Sequence, residues 1–333
     1  MAHEIAYING RFSFARAADA GEAWHESETM TSDQIILPGD SRETILRKSG
    51  LNYTVQSVPL YYRPECDRPA AGQPAPKART VPGKVAQVRD DTGDSLGIVG
   101  DGFHTVQPCE AYDVAAEWCD RGSAKLETIF ALHGGRLYGA LFCIGEAVSL
   151  DNGKDTLKPY LYWSTACDGT RSTQIKNTAI RVECANTDRM TRGDRAQFSK
   201  SHRSAYDASE ARECVELAIA EFGAYVTMAR TLATVKVDAD KAAAMTAELV
   251  GPAKTPAGRV STAHARILEL FQGAGAGSQL VTTAGTAWGY LNAVTDYADH
   301  DMRATSADNR FDSAQSGNGD ALKSRARELV EAL

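Results

Sequence analysis

Lys125-Leu126-Glu127-Thr128-Ile129-Phe130-Ala131-Leu132-His133-Gly134-Gly135-Arg136-Leu137-Tyr138-Gly139-Ala140-Leu141-Phe142-Cys143-Ile144 is the stretch whose reading decides the fold class. Two runs rich in aliphatic and aromatic residues flank His133-Gly134-Gly135, which tolerates left-handed backbone, so the segment predicts a β-hairpin. Thr156 to Ala166 predicts a third strand of the same sheet and Ser172 to Cys184 a fourth. Upstream, Lys84 to Asp90 and Ser95 to Gly100 predict another hairpin about Asp91-Thr92-Gly93-Asp94. Sequential strands with short connections imply an antiparallel sheet. Between the hairpins, Ala111, Val114, Ala115 and Trp118 follow Pro108 at helical spacing, which predicts a helix starting near that proline.

After Tyr206 the chain reads as helix. Asp207 and Glu210 form a capping box, and Val215, Ala218, Ile219, Phe222, Val226, Ala229 and Leu232 make one apolar stripe. Further helices are predicted over Asp238–Leu249, Ser261–Gln272, Thr286–Asp299 and Asp320–Ala332, with the polar stretch Arg303–Gly319 as loop. Pro59, Pro64, Pro69, Pro74, Pro76 and Pro82 block both helix and ladder hydrogen bonds, marking a linker or extended arm. The expected organisation is therefore an N-terminal region 1–58 of short elements, a Pro-rich linker or arm 59–83, an α+β core 84–205, and a helical region 206–333. The fold class is α+β: an antiparallel, hairpin-rich sheet packed with helices, followed by a helical C-terminal half.

A chain of 333 residues, 43% hydrophobic and 24% charged, can bury a full core. Its apolar runs fall short of the roughly 20 residues that span a bilayer, and no basic-then-apolar leader opens it, so a cytoplasmic protein without a membrane role is expected. Seven cysteines without a C-x-x-C pair predict no zinc site, redox motif or disulfide framework.

Charge is unevenly spread. From Arg171 to Arg203 eight basic residues (Arg171, Lys176, Arg181, Arg189, Arg192, Arg195, Lys200 and Arg203) face three acids, inside a chain of net charge −7. Residues 84–170 carry 7 Lys/Arg against 13 acids and 204–333 carry 12 against 17, so the cluster stands apart. A positive patch on an acidic protein attracts phosphates locally, while bulk repulsion limits loose binding to any polyanion. The cluster's bland reading is a solvated surface. Tyr160 and Tyr162 on the third strand would stack on unpaired bases if their face were open; burial is the commoner fate of strand aromatics.

Other constellations carry less. Gly273-Ala274-Gly275-Ala276-Gly277-Ser278 follows a helix and lacks the Gly-Lys-Ser/Thr of a phosphate loop, so it reads as a helix C-cap and loop. Asp296, Asp299, His300 and Asp301 read as a solvated helix end rather than a cation site. His104, His133 and His202 have no Ser or Cys beside them in a nucleophile arrangement, and His202 would add a phosphate contact. No catalytic residue and no cofactor is assigned.

Gly97-Ile98-Val99-Gly100, Phe103, Val106-Gln107-Pro108-Cys109-Glu110-Ala111-Tyr112, Asp168-Gly169, Arg181-Val182-Glu183-Cys184-Ala185-Asn186-Thr187, Gly285-Thr286-Ala287-Trp288 and Asn292-Ala293-Val294-Thr295-Asp296-Tyr297 together resemble the phage/plasmid-like protein family, domain of unknown function 932. The resemblance covers about residues 35 to 333 and implies a mobile-element setting, with no catalytic motif to transfer. At fold level, hairpins backed by helices with a basic segment are similar to phage single-strand annealing proteins of the RecT, Redβ and Erf kind, an analogy only. The expected function is ATP-independent binding and annealing of single-stranded DNA in phage recombination, in the host cytoplasm, by a homo-oligomeric ring or filament. The alternative is a module that binds or inhibits a host protein through its acidic helical half, without DNA. A third reading, an enzyme acting on nucleotides, would require a pocket.

Overall fold

The computed structural model describes residues 7–8, 11–12, 14–18, 31–63, 77–120, 124–182, 186–190, 198–204, 212–254, 258 and 260–333. Its strands are β1 (Tyr7–Ile8), β2 (Arg11–Phe12), β3 (Phe14–Ala17), β4 (Ile35–Ile36), β5 (Val55–Tyr62), β6 (Arg79–Arg89), β7 (Ser95–Gly100), β8 (Lys125–Leu132), β9 (Leu137–Cys143), β10 (Val148–Ser149), β11 (Thr156–Ala166), β12 (Thr173–Arg181), β13 (Asn186–Arg189) and β14 (Phe198–Lys200). Its α-helices are α1 (Arg42–Ser49), α2 (Pro108–Asp120), α3 (Arg212–Leu232), α4 (Ala239–Val250), α5 (Thr262–Glu269), α6 (Ala287–Asp296), α7 (Ala307–Ser316) and α8 (Asn318–Glu331). Strands dominate the first half and helices the second, so the fold is α+β.

The β8–β9 hairpin forms as the sequence predicts, with Leu132 opposite Leu137 and a turn in which His133, Gly134 and Gly135 take φ of 54°, 71° and 95°. It seeds the main sheet, ordered β13-β12-β11-β9-β8-β3-β4, with β14 added on β12 and β10 on β11. Its pairings are antiparallel except β3 with β4. Because β3 pairs with β8, part of the expected N-terminal region 1–58 belongs to this sheet.

Both faces of the sheet are covered. Leu161, Trp163, Ile175, Ala140 and Phe142 point into a core shared with Leu46, Ala111, Trp118 and Ala218 of α1, α2 and α3. Tyr160, Tyr162, Phe130, Leu137 and Ile180 point the other way and meet Phe311 of α7. A strand buried on both sides shows no polar alternation, and β11 accordingly reads as an almost continuous buried run. The helical half closes around its own core, in which Phe222, Tyr225, Trp288, Leu291 and Val330 pack together. Ala218, Phe222, Val226, Ala229 and Leu232 of the expected α3 stripe are buried, while Ile219 is half exposed. Asp207, Glu210 and the side chain of Val215 lie outside the described residues.

One helix departs from the sequence reading. The stretch expected as loop, Arg303–Gly319, contains α7, capped by Ser306 Oγ, which accepts from Asn309 N at 3.1 Å. A polar helix of this length is marginal alone, and tertiary contacts hold it: Phe311 sits edge-on to Phe130 at 5.0 Å between ring centroids.

A second sheet, β5-β6-β7, includes the predicted Lys84–Gly100 hairpin and reaches into both ends of the Pro-rich stretch, of which residues 64–76 lie outside the described residues. Pro59 sits on the edge strand β5 beside a bulge, and Pro82 lies within that bulge, where β7 has not yet begun to pair. Both positions spare the ladder a missing donor. Gly83 takes φ of 68° there, which is open to glycine at little cost. The base of this sheet is bolted to the β8–β9 turn. Tyr53 Oη donates to Gly135 O at 3.0 Å, Arg89 Nη1 donates to Gly134 O at 3.1 Å, and the Arg89 guanidinium lies 3.7 Å from the Tyr53 ring centre.

Candidate nucleic-acid interface

The basic cluster does not form one exposed surface. Arg171 Nη2 donates to Asp312 Oδ1 of α7 at 2.6 Å. Lys176 Nζ reaches Gln315 O at 2.9 Å, Ser316 Oγ at 3.0 Å and Asp320 Oδ2 at 3.4 Å. Arg181 Nε donates to Asp155 Oδ1 at 2.5 Å, with both partners buried. Each of these three cations is matched by a carboxylate at the junction with the helical half, so in this structure they are held in ion pairs and do not form an open basic surface. Lys200 is half-buried on β14 and Arg203 is exposed. Arg189 lies on β13 with its side chain outside the described residues, as are Arg192 and Arg195 entirely.

Tyr160 and Tyr162 are buried, because the face they occupy is covered by α7, so neither is a stacking platform. Tyr160 Oη donates to the buried Glu127 Oε2 at 2.6 Å. His202 is likewise enclosed: its Nδ1 lies 3.0 Å from His104 O, its Nε2 lies 3.1 Å from Arg171 O, and its ring stacks on Phe103.

Asp155 is the centre of a closed polar knot. Besides Arg181 it accepts from Thr282 Oγ1 and, at 3.2 Å, from Trp288 Nε1. Arg181 continues to the backbone, donating from Nη2 to Gly277 O at 3.2 Å. A Cβ at Gly277 would lie 2.8 Å from Arg181 Nη2, and φ there is 63°. The glycine-rich segment therefore seats a guanidinium.

Beside this knot, Arg181, Asp188, Tyr225, Trp288, Asn292 and Thr295 line a cavity of about 10 Å3, room for a single water. Burial pushes the Asp188 carboxyl above its usual range, against the pull of Arg327 and Lys323 and the hydrogen bond donated by Tyr225 Oη at 2.9 Å. No nucleotide fits there. The acidic helix end expected to be solvated is also engaged, with Asp299 buried against Lys323 Nζ at 2.8 Å and Asp301 paired to Arg266 Nε at 2.7 Å. Among the described residues no group of three or more His, Cys, Asp or Glu is disposed to hold a metal, and no helix is long and apolar enough to cross a membrane.

A different surface has the required chemistry. Beyond the bulge, β5 and β6 run on as a two-stranded ribbon, with Tyr61 opposite Thr80 and Tyr62 opposite Arg79. Directly paired residues share a face, so the two tyrosines project to opposite sides. Both are exposed, at 63% for Tyr61 and 47% for Tyr62, so each face of the ribbon presents an aromatic ring to solvent. Arg63, Lys77, Arg79 and Lys84 are exposed beside them, and no acid occurs in 55–63 or 77–88. The sequence signal was present as Tyr61-Tyr62-Arg63 and Lys77-Ala78-Arg79, but proline density concealed the strands carrying it.

No curated protein and no solved structure matches the chain. With most of its length, including the main sheet from β8 onward and helices α2 to α7, falling within the matched segment of residues 95–324, the chain belongs to the family described as domain of unknown function 932.

Proposed function

We propose that this protein binds single-stranded DNA without ATP, using the β5–β6 ribbon, and promotes pairing of complementary strands in phage recombination. One observation carries the reading: a projecting ribbon presents Tyr61 and Tyr62 with Arg63, Lys77, Arg79 and Lys84, and no acid among its described residues. Exposed aromatics offer π-faces to any base, and cations follow the phosphate chain; together these suit unpaired strands without sequence preference. The whole ribbon lies ahead of the family match, so its own geometry is the support. Annealing would further require oligomers, in which many weak contacts act together.

Fluorescence anisotropy with labelled single- and double-stranded oligonucleotides across a salt series tests the proposal. The expected result is preference for single strands and affinity falling steeply with salt. Salt-insensitive binding, or equal binding after Tyr61→Ala/Tyr62→Ala, would remove the ribbon from consideration. A second reading, capture of a host protein, draws on α3, where Leu217 and Ile219 are about half exposed. It predicts no nucleic-acid affinity at low salt.

A further inference from the structure

The helix absent from the sequence reading lies over the sheet-face members of the basic cluster. α7 has a single large apolar side chain, Phe311, seated against Phe130 and Tyr162. Around that anchor its contacts are polar. Asp308 Oδ2 accepts from His133 N at 2.6 Å, and Asp312 accepts from Arg171 at 2.6 Å and lies 3.9 Å from His133 Nε2. At its C-terminal end Gln315 O, Ser316 Oγ and, past the turn, Asp320 Oδ2 surround Lys176 Nζ. Residues 307–320 thus set three carboxylates, against one cation in Arg310, over a sheet face carrying His133, Arg171 and Lys176.

The fit beneath is incomplete. Tyr162 Oη, Ser164 Oγ and Arg171 Nη1 are buried and complete no hydrogen bond of normal geometry. Tyr162 and Ser164 are fully buried, and Tyr162 is close enough to Arg171 to sense its charge. A buried donor left unpaired is costly, so this face holds donors that a better-placed acceptor would satisfy. Phosphate supplies several strong acceptor oxygens and negative charge at once, which is what two hydroxyls, two cations and an imidazole on one face would take.

We propose that α7 is a displaceable acidic strap: its carboxylates occupy the places of phosphate groups on a latent second binding face formed by His133, Arg171, Lys176, Tyr162 and Ser164, and a single-stranded nucleic acid displaces it. The inference rests on the reading of the chain as a nucleic-acid binder but uses different residues from the ribbon. Free protein holds the face closed, and strand engaged first on the ribbon competes for it at high local concentration. Apparent affinity is then lowered by the fraction of time the strap is closed.

The test uses the full chain and fluorescein-labelled oligo-dT of 30 nucleotides. Phe311→Ala removes the anchor, and Asp308→Asn/Asp312→Asn removes the competing charge while keeping the anchor. Each variant is expected to bind at least about tenfold more tightly than the parent, as release of a closed state requires. Adding Arg171→Gln to either variant is expected to abolish the gain. Tyr62→Ala should weaken parent and variant alike and leave their ratio unchanged. In the parent, hydrogen exchange over 307–316 is expected to speed up at saturating oligonucleotide. Unchanged or slower exchange there, or variants with faster α7 exchange and no gain in affinity, would overturn the strap. A parent that does not bind beside a variant that does would sink the ribbon reading and keep the strap; no binding by any of them would sink both.

Discussion

Two groups of cations in this molecule have opposite fates. Arg171, Lys176 and Arg181 come from the segment with the highest positive density, yet each meets a carboxylate from Asp155, Asp312 or Asp320. Arg63, Lys77 and Lys84 come from within or beside a proline-rich stretch with no obvious pattern, and they stand exposed next to strands without acids among their described residues. Local charge density therefore measures how much charge a segment carries and not whether the charge is available. Availability depends on partners that the fold imports, here from as far as 144 residues along the chain for Lys176 and Asp320.

The sharpest way to break the contrast is to remove an imported partner. Asp155→Ala leaves Arg181 buried without its counter-charge, and is expected to cost roughly 3–5 kcal/mol in urea unfolding. Asp155→Leu/Arg181→Met should recover most of that loss, whereas a small effect of Asp155→Ala alone would show the knot to be loose. On the ribbon, Tyr62→Ala is expected to cost roughly 1–3 kcal/mol of oligonucleotide binding per stacked base with no change in melting temperature. Lys84→Gln should act more gently, reducing the slope of log affinity against log salt by about one unit.

The smallest effect is a pH dependence confined to the sheet-face group. The Asp312 carboxylate, 3.9 Å from the imidazole, raises the His133 pKa above 6.5 despite burial. A folded value above the unfolded one means that this stabilisation is complete below the unfolded pKa and lost as pH rises through the folded pKa. For Asp312 burial acts upward, but His133 and Arg171 outweigh it and hold the carboxyl below 3.8, so its contribution is present above that value and lost as pH falls through the folded pKa. Melting temperature should thus decline from mildly acidic to mildly alkaline pH in the parent, and decline less in His133→Gln. Identical profiles would separate His133 from Asp312.

Much of the fold was legible. β8 and β11 occupy the spans that hairpin and strand patterning predicted, because turn glycines and β-rich runs act locally. α7 was not legible, since Asp308, Asn309, Arg310 and Asp312 around one phenylalanine look like loop until the sheet supplies partners. The ribbon was hidden for the converse reason: Pro59 and Pro82 argue against strands, and only an edge position and a bulge make them tolerable. The candidate site failed in the sequence where it needed the covering of a face. Tyr160 and Tyr162 share one face of β11, and the continuous apolar run favours burial of that face without saying that α7 is what covers it.

The late origin of these partners has a consequence during synthesis. Chains grow at roughly 5–20 residues per second and N-terminal parts fold first where they can. Here the sheet emerges with Arg171 and Lys176 well before Asp312 and Asp320 are made, so its tyrosine-bearing face has neither cover nor counter-charge in the interval. A ribosome paused ahead of residue 307 would hold a chain whose tyrosine-bearing sheet face is uncovered and whose Arg171 and Lys176 lack their counter-charges, the form most in need of a chaperone.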